Sequence, residues 1–134
     1  MAAKEKQKGK DREKAGGLTK LELRVMQAVW RVGGGTVGVV QEEMGGELAY
    51  TTVQTMLNIL VDKGKLRRHR AGRAFVYTAA ESEAKARKEA LRDLIERMFG
   101  GRSDELVMAL LKSKEISVKK LGEAAKRYEK SSGE

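Results

Sequence analysis

Cysteine is absent from the 134-residue chain, and histidine occurs once, as His69. The first absence excludes disulfides, thiolate metal sites and cysteine nucleophiles. The second excludes a multi-histidine metal site and leaves a Ser-His-Asp triad a single candidate base. Carboxylate or lysine chemistry stays formally open, but no pair stands at diagnostic spacing. A non-enzymatic protein with no cofactor and no metal is expected. Long apolar runs are also missing, and none approaches the roughly 20 residues a membrane helix needs. The N-terminus has no apolar stretch of the secretory type. No membrane insertion and a cytoplasmic location are therefore expected.

Positive charge is abundant, with a formal net charge of +9. Residues 1–17 contribute +3, residues 18–80 contribute +4 and residues 81–134 contribute +2. The last third is highly charged yet nearly balanced, as a solvated helical surface is. In the middle third the surplus is concentrated: Lys65, Arg67, Arg68, Arg70 and Arg73 lie together with no acid among them. A basic chain of this kind expects a polyanionic partner, most often nucleic acid.

The stretch Tyr50–Gly64 separates into two faces at helical periodicity. Val53, Met56, Leu57, Leu60 and Val61 form a buried stripe. Thr51, Gln54, Thr55, Asn58 and Asp62 fall on the opposite face, which is almost uncharged, and Thr51, Thr52, Gln54, Thr55 and Asn58 are the candidate base readers. Short hydroxyl and amide side chains both donate and accept hydrogen bonds, which suits reading base edges in a DNA major groove. The plainer alternative is a buried helix whose outer polar residues are incidental. Thr51 has a second possible role, because Thr51-x-x-Gln54 has the spacing of a capping box. As a cap it would leave base reading mainly to Gln54, Thr55 and Asn58.

Beyond this helix, Leu66–Thr78 alternates as two strands around a turn at Ala71-Gly72. Leu66, Arg68 and Arg70 share one face, with Phe75 and Tyr77 inward on the partner strand. A polar-faced helix followed by a basic hairpin reads as a helix-turn-helix with a wing. Lys63, Lys65, Arg68, Arg70 and Arg73 are then the candidate phosphate and wing contacts.

Residues 1–17 carry no large apolar side chain after Met1 and read as a disordered basic arm. Its role is either nonspecific phosphate affinity or a solvating tail. Thr19 and Glu22 have capping-box spacing ahead of an apolar face of Leu21, Val25, Met26, Val29 and Trp30, and Gly33-Gly34-Gly35 ends that helix. Thr36–Val40 is either a brief strand beside the hairpin or the capped start of a second helix. From Ser82, a plausible cap, a helix of about five turns runs to Phe99, and Gly100-Gly101 breaks it. Ser103 and Ser117 are plausible caps of two further helices. Residues 131–134 are expected to fray.

The expected architecture is mainly α. A winged helix-turn-helix domain of three helices and a two- or three-stranded small sheet spans residues 18–80. An α-helical dimerisation region spans 81–130. Short helices with a core this thin rarely hold together alone. Leu91, Leu94, Ile95, Met98, Phe99, Leu106, Leu110 and Leu121 are the candidate dimer interface. A homodimer would present two reading helices to successive turns of duplex DNA. In a monomer the same stripes would fold back onto the N-terminal domain.

The chain resembles the BlaI/MecI family of penicillinase repressors. The likeness rests on Leu18-Thr19-Lys20-Leu21-Glu22-Leu23, Ala49-Tyr50-Thr51-Thr52-Val53-Gln54-Thr55-Met56-Leu57, Lys63-Gly64-Lys65-Leu66, Gly72-Arg73-Ala74-Phe75-Val76-Tyr77 and Phe99-Gly100-Gly101, in that order. It implies a dimeric winged-helix repressor on a palindromic operator. It also implies inactivation by cleavage triggered by a membrane metalloprotease sensor. In the β-lactam-responsive members the cut bond joins Asn to Phe; here Met98–Ser103 holds no such pair. Copper-responsive relatives use cysteines, and this chain has none. Gly38 and Asn58 stand where charged residues are common in the family.

Three functions compete. A sequence-specific repressor leads, with double-stranded DNA and a second copy of the chain as partners. A non-sequence-specific architectural DNA-binding protein is the alternative; the basic arm favours it and the uncharged helix face opposes it. A winged-helix scaffold for protein or RNA comes third.

Overall fold

The computed structural model describes residues 17–132. The basic arm expected over residues 1–17 lies, apart from Gly17, outside the described residues. Six helices and one hairpin follow in order: α1 (Lys20–Val32), α2 (Val37–Glu43), α3 (Tyr50–Asp62), β1 (Leu66–Ala71), β2 (Ala74–Ala79), α4 (Glu83–Phe99), α5 (Ser103–Lys112) and α6 (Val118–Ser131). They fall into two compact units, Met1–Leu91 and Arg92–Glu134. The boundary expected at 80/81 thus lies further on, inside α4. One reason is visible in the first unit: the Trp30 indole N–H donates to the Glu81 carbonyl at 3.0 Å.

In the first unit, α1 begins at the capping box its sequence announces. The Glu22 amide donates to the Thr19 hydroxyl at 3.1 Å, and the Thr19 amide donates to the Glu22 carboxylate at 2.8 Å. Two otherwise unpartnered helix amides are satisfied in this way. Gly33 closes α1 in the left-handed region. Thr36 caps α2, accepting from the Val39 amide, so the capped-helix alternative holds there. The strand alternative survives one residue earlier, where Gly35 and Tyr77 exchange both backbone hydrogen bonds. This single bridge joins the α1–α2 loop to an otherwise two-stranded sheet.

The core draws on α1, α2, α3 and both strands of the hairpin. Val25, Met26 and Val29 from α1 meet Val40 from α2, Val53, Leu57 and Leu60 from α3, and Leu66 and Tyr77 from the hairpin. Within the expected α3 stripe, Val53, Leu57 and Leu60 are fully buried, while Met56 and Val61 lie at the margin. Trp30 is likewise half-buried and packs against the core rather than within it. Three apolar residues at helical spacing are enough to fix which face of α3 turns outward.

Close approach demands a glycine at one point. A side chain on Gly34 would put its Cβ 2.9 Å from Thr78 Cγ2 and 3.2 Å from the Tyr77 carbonyl oxygen, and the residue has φ +107. The root of the hairpin therefore packs directly on bare backbone.

In the second unit, Ser117 caps α6 as expected, accepting from the Lys120 amide at 3.1 Å. Ser103 does not cap α5. It is the first helical residue, and Arg102 holds the cap position without a side-chain bond. In the first unit, Ser82 does accept from the Lys85 amide at the start of α4. The helix α6 extends to Ser131, so regular structure runs one residue into the expected frayed tail. Helices α4, α5 and α6 contain no buried residue.

Candidate nucleic-acid interface

Helix α3 begins with Ala49 at its cap position and no side-chain cap bond. Thr51 is consequently inside the first turn, and the Thr51/Gln54 capping box does not form. Thr51, Thr52, Gln54 and Thr55 are all exposed. These hydroxyls and the amide form one outward surface over the first two turns of the helix. That is the part of a recognition helix that meets base edges.

The hairpin register pairs Arg68 with Tyr77 and Arg70 with Phe75, and its last pair is Ala71 with Ala74. The two-residue loop is therefore Gly72-Arg73, one residue later than the sequence suggested. Gly72 has φ +67, a conformation glycine enters without steric cost. Arg73 stands at the tip, and Arg67, Arg68 and Arg70 are exposed along β1.

Phe75 is not inward as expected. It is 37% exposed, and two guanidinium groups cover it. Arg68 Cζ lies 4.5 Å and Arg70 Cζ 5.3 Å from the ring centroid. The ring's negative face attracts both cations. Parity puts Phe75 on the Tyr77 face, but the register carries it beyond the core toward the tip.

Asn58, expected to read bases, is bonded within the protein. Its Oδ1 accepts from Arg68 Nη1 at 2.9 Å and from the Tyr77 hydroxyl at 2.9 Å. Both lone-pair directions of that oxygen are used. A two-point contact to adenine needs the same oxygen as acceptor and the amide nitrogen as donor. As folded, Asn58 has only the nitrogen to offer.

Lys63, expected at a phosphate, is engaged within the first unit. Its Nζ lies 2.8 Å from Glu22 Oε1 and 3.4 Å from the Gly17 carbonyl oxygen. Glu22 is 4% exposed and belongs to the interior. A charge buried to this degree needs a partner, and Lys63 supplies it. Lys65 lines a cavity of about 230 Å³ together with Leu18, Leu23, Met26, Trp30 and Ala90. It sits among α1 and α4 residues rather than along the wing. Arg68, Arg70 and Arg73 are exposed on the hairpin.

The sequence reading missed the Asn58–Arg68–Tyr77 junction, the Glu22–Lys63 pair and the exposure of Arg67. Only the first left a trace: Arg68 and Tyr77 share a strand face once the loop is set at Gly72-Arg73. Among the described residues, no group of three or more metal-ligating side chains could hold a metal ion. No described helix is long and apolar enough to cross a membrane.

Of the residues proposed for a dimer interface, Leu91, Leu94 and Met98 are exposed, at 49%, 42% and 68%. Ile95, Phe99, Leu106, Leu110 and Leu121 are half-buried.

A compact three-helix unit whose third helix leads into an antiparallel hairpin is a winged helix-turn-helix, and with its basic wing it falls in the class of winged-helix DNA-binding repressors. Residues 18–130 match the family model described as penicillinase repressor, and the chain belongs to that family. It is 28% identical over 108 residues to the penicillinase repressor of Bacillus licheniformis, covering 79% of this chain and 84% of that one. The solution structure of the DNA-binding domain of the repressor BlaI is 34% identical, covering 53% of this chain and 89% of that one, with a TM-score of 0.46. The YusO protein of Bacillus subtilis shares the fold: its crystal structure superposes with a TM-score of 0.55 at 18% identity, covering 98% of this chain and 88% of that one.

Proposed function

We propose that the protein is a sequence-specific, cytoplasmic transcriptional repressor that binds a palindromic operator as a homodimer. In this reading α3 enters the major groove and the 66–78 hairpin lies against the backbone as the wing. The observation that carries it is the outward face of α3. Thr51, Thr52, Gln54 and Thr55 are exposed there, directly beside a strand of exposed arginines. A helix face meant only for water would carry Lys and Glu; this one carries groups that discriminate donors from acceptors. Arg68, Arg70 and Arg73 supply the phosphate or minor-groove contacts.

The dimer rests on the apolar residues that α4, α5 and α6 leave uncovered, among them Leu94, Met98, Met108 and Val118. Twofold pairing would set two reading helices about 34 Å apart, one turn of duplex. Because Met98–Ser103 contains no Asn-Phe bond, a membrane metalloprotease system could not silence this chain by cutting such a bond there.

Selection of bound duplexes from a random pool tests the proposal. A palindromic consensus with half-sites one helical turn apart is expected. Recovery of no common sequence would instead support the architectural alternative, in which affinity is all phosphate and indifferent to sequence.

A further inference from the structure

Recognition helix and wing meet at one built contact, and its chemistry is specific. Arg68 is exposed, yet its guanidinium is held from two sides. Nη1 donates to Asn58 Oδ1 at 2.9 Å, and the group stacks 4.5 Å from the Phe75 ring centroid. Asn58 is itself fixed from below by the buried Tyr77 hydroxyl, which donates to the same oxygen. A guanidinium has five N–H donors in a rigid fork. One of the five is spent on Asn58, and the Nε–Nη2 edge makes no bond among the described residues.

We propose that Asn58 is a positioning residue rather than a base reader. It presets Arg68 as a two-point ligand of one DNA backbone phosphate at the junction between α3 and the wing. This rests on the DNA-binding reading above and assigns one contact within it. A long, rotamer-rich side chain normally loses its freedom when it docks, at a cost to affinity. Here the loss is taken in the fold. The acceptor's neutrality matters as much as its place. A carboxylate at position 58 would orient Arg68 equally well, but it would cancel the charge whose pairing with phosphate releases a counterion. An amide orients the guanidinium and leaves its charge intact. Location argues for phosphate over base: Asn58 lies in the third turn of α3, past the turns that carry Thr51–Thr55, and Arg68 lies on the wing side.

The test is a set of binding titrations of the full chain on a mixed-sequence duplex across a salt series. Arg68→Ala should weaken binding and flatten the salt slope by about one unit. Asn58→Ala should weaken binding about three- to tenfold with the slope unchanged, since the charge remains but is no longer preset. Asn58→Asp should weaken binding and flatten the slope by about one, as the new carboxylate neutralises Arg68. In an Arg68→Ala background, Asn58→Ala should cost nothing further. Asn58→Ala leaves a buried hydroxyl without its acceptor, so the same cycle is repeated in Tyr77→Phe, where no such hydroxyl exists. An Asn58→Ala loss equal in the presence and absence of Arg68, or an unchanged slope in Asn58→Asp, overturns the assignment while the DNA-binding reading stands. A parent chain that retains no duplex at any salt overturns both.

Discussion

Replacing Lys63 by methionine is expected to unfold the first unit at a much lower temperature while leaving any bound DNA contact untouched. The side chains of Glu22 and Lys63 are 5% and 24% exposed, with 2.8 Å between Nζ and Oε1. Methionine keeps the aliphatic stem and removes the ammonium. Glu22 would then hold its charge inside the core with the Thr19 amide as its remaining hydrogen-bond donor. Breaking one side of a buried pair costs about 3–5 kcal/mol. Lys63 retains some solvent, so the lower end applies, about 3 kcal/mol. At about 4–8 °C per kcal/mol for a domain of this size, the midpoint falls by roughly 12–24 °C. Far-UV circular dichroism through a thermal ramp reads this directly. Adding Glu22→Gln should restore most of the loss, because glutamine keeps the capping geometry and carries no charge. A Lys63→Met protein that melts within about 0.5 kcal/mol of the parent, but binds duplex with a flattened salt slope, would refute the burial reasoning. It would return Lys63 to the phosphate contacts.

Three further outcomes are expected. Arg73→Ala at the wing tip should weaken binding to all duplexes alike and flatten the salt slope by about one unit; an unchanged slope removes Arg73 from the interface. Gln54→Ala should cost about 1–3 kcal/mol on the selected operator and little on random DNA, and equal losses on both would show that Gln54 reads nothing. Leu94→Glu places a charge on the exposed stripe of α4 and should yield monomers in sedimentation velocity; a parent chain already monomeric would dispose of the dimer.

Much of this fold is legible because its signals are local. The Thr19–Glu22 box spans three residues and carries its own hydrogen-bond logic, so sequence spacing was sufficient. The α3 stripe was equally plain, since Val53, Leu57 and Leu60 recur at helical intervals. The sequence is silent where a partner is far away in the chain. Lys63 looks like one more cation before a basic hairpin, and nothing nearby reveals that its carboxylate lies 41 residues upstream. Asn58 looks like a free amide until the hairpin folds back and brings Arg68 and Tyr77 to it. The turn was misplaced by one residue because Ala71 serves a strand end as readily as a loop. A one-residue error in a hairpin loop is enough to hide which strand positions oppose each other.

The bare backbone at Gly34 has a consequence for how this protein can diverge. With Thr78 and the Tyr77 carbonyl resting on it, and Gly35 bonded to Tyr77 in both directions, the base of the hairpin is anchored at a fixed height. The opposite end packs on nothing: the space around Gly72 is open to 4 Å, and the only local demand there is the backbone's own φ of +67, which favours glycine. Insertions can therefore accumulate outward, in even numbers that preserve strand parity, lengthening the reach along a duplex without disturbing the floor on which the hairpin stands.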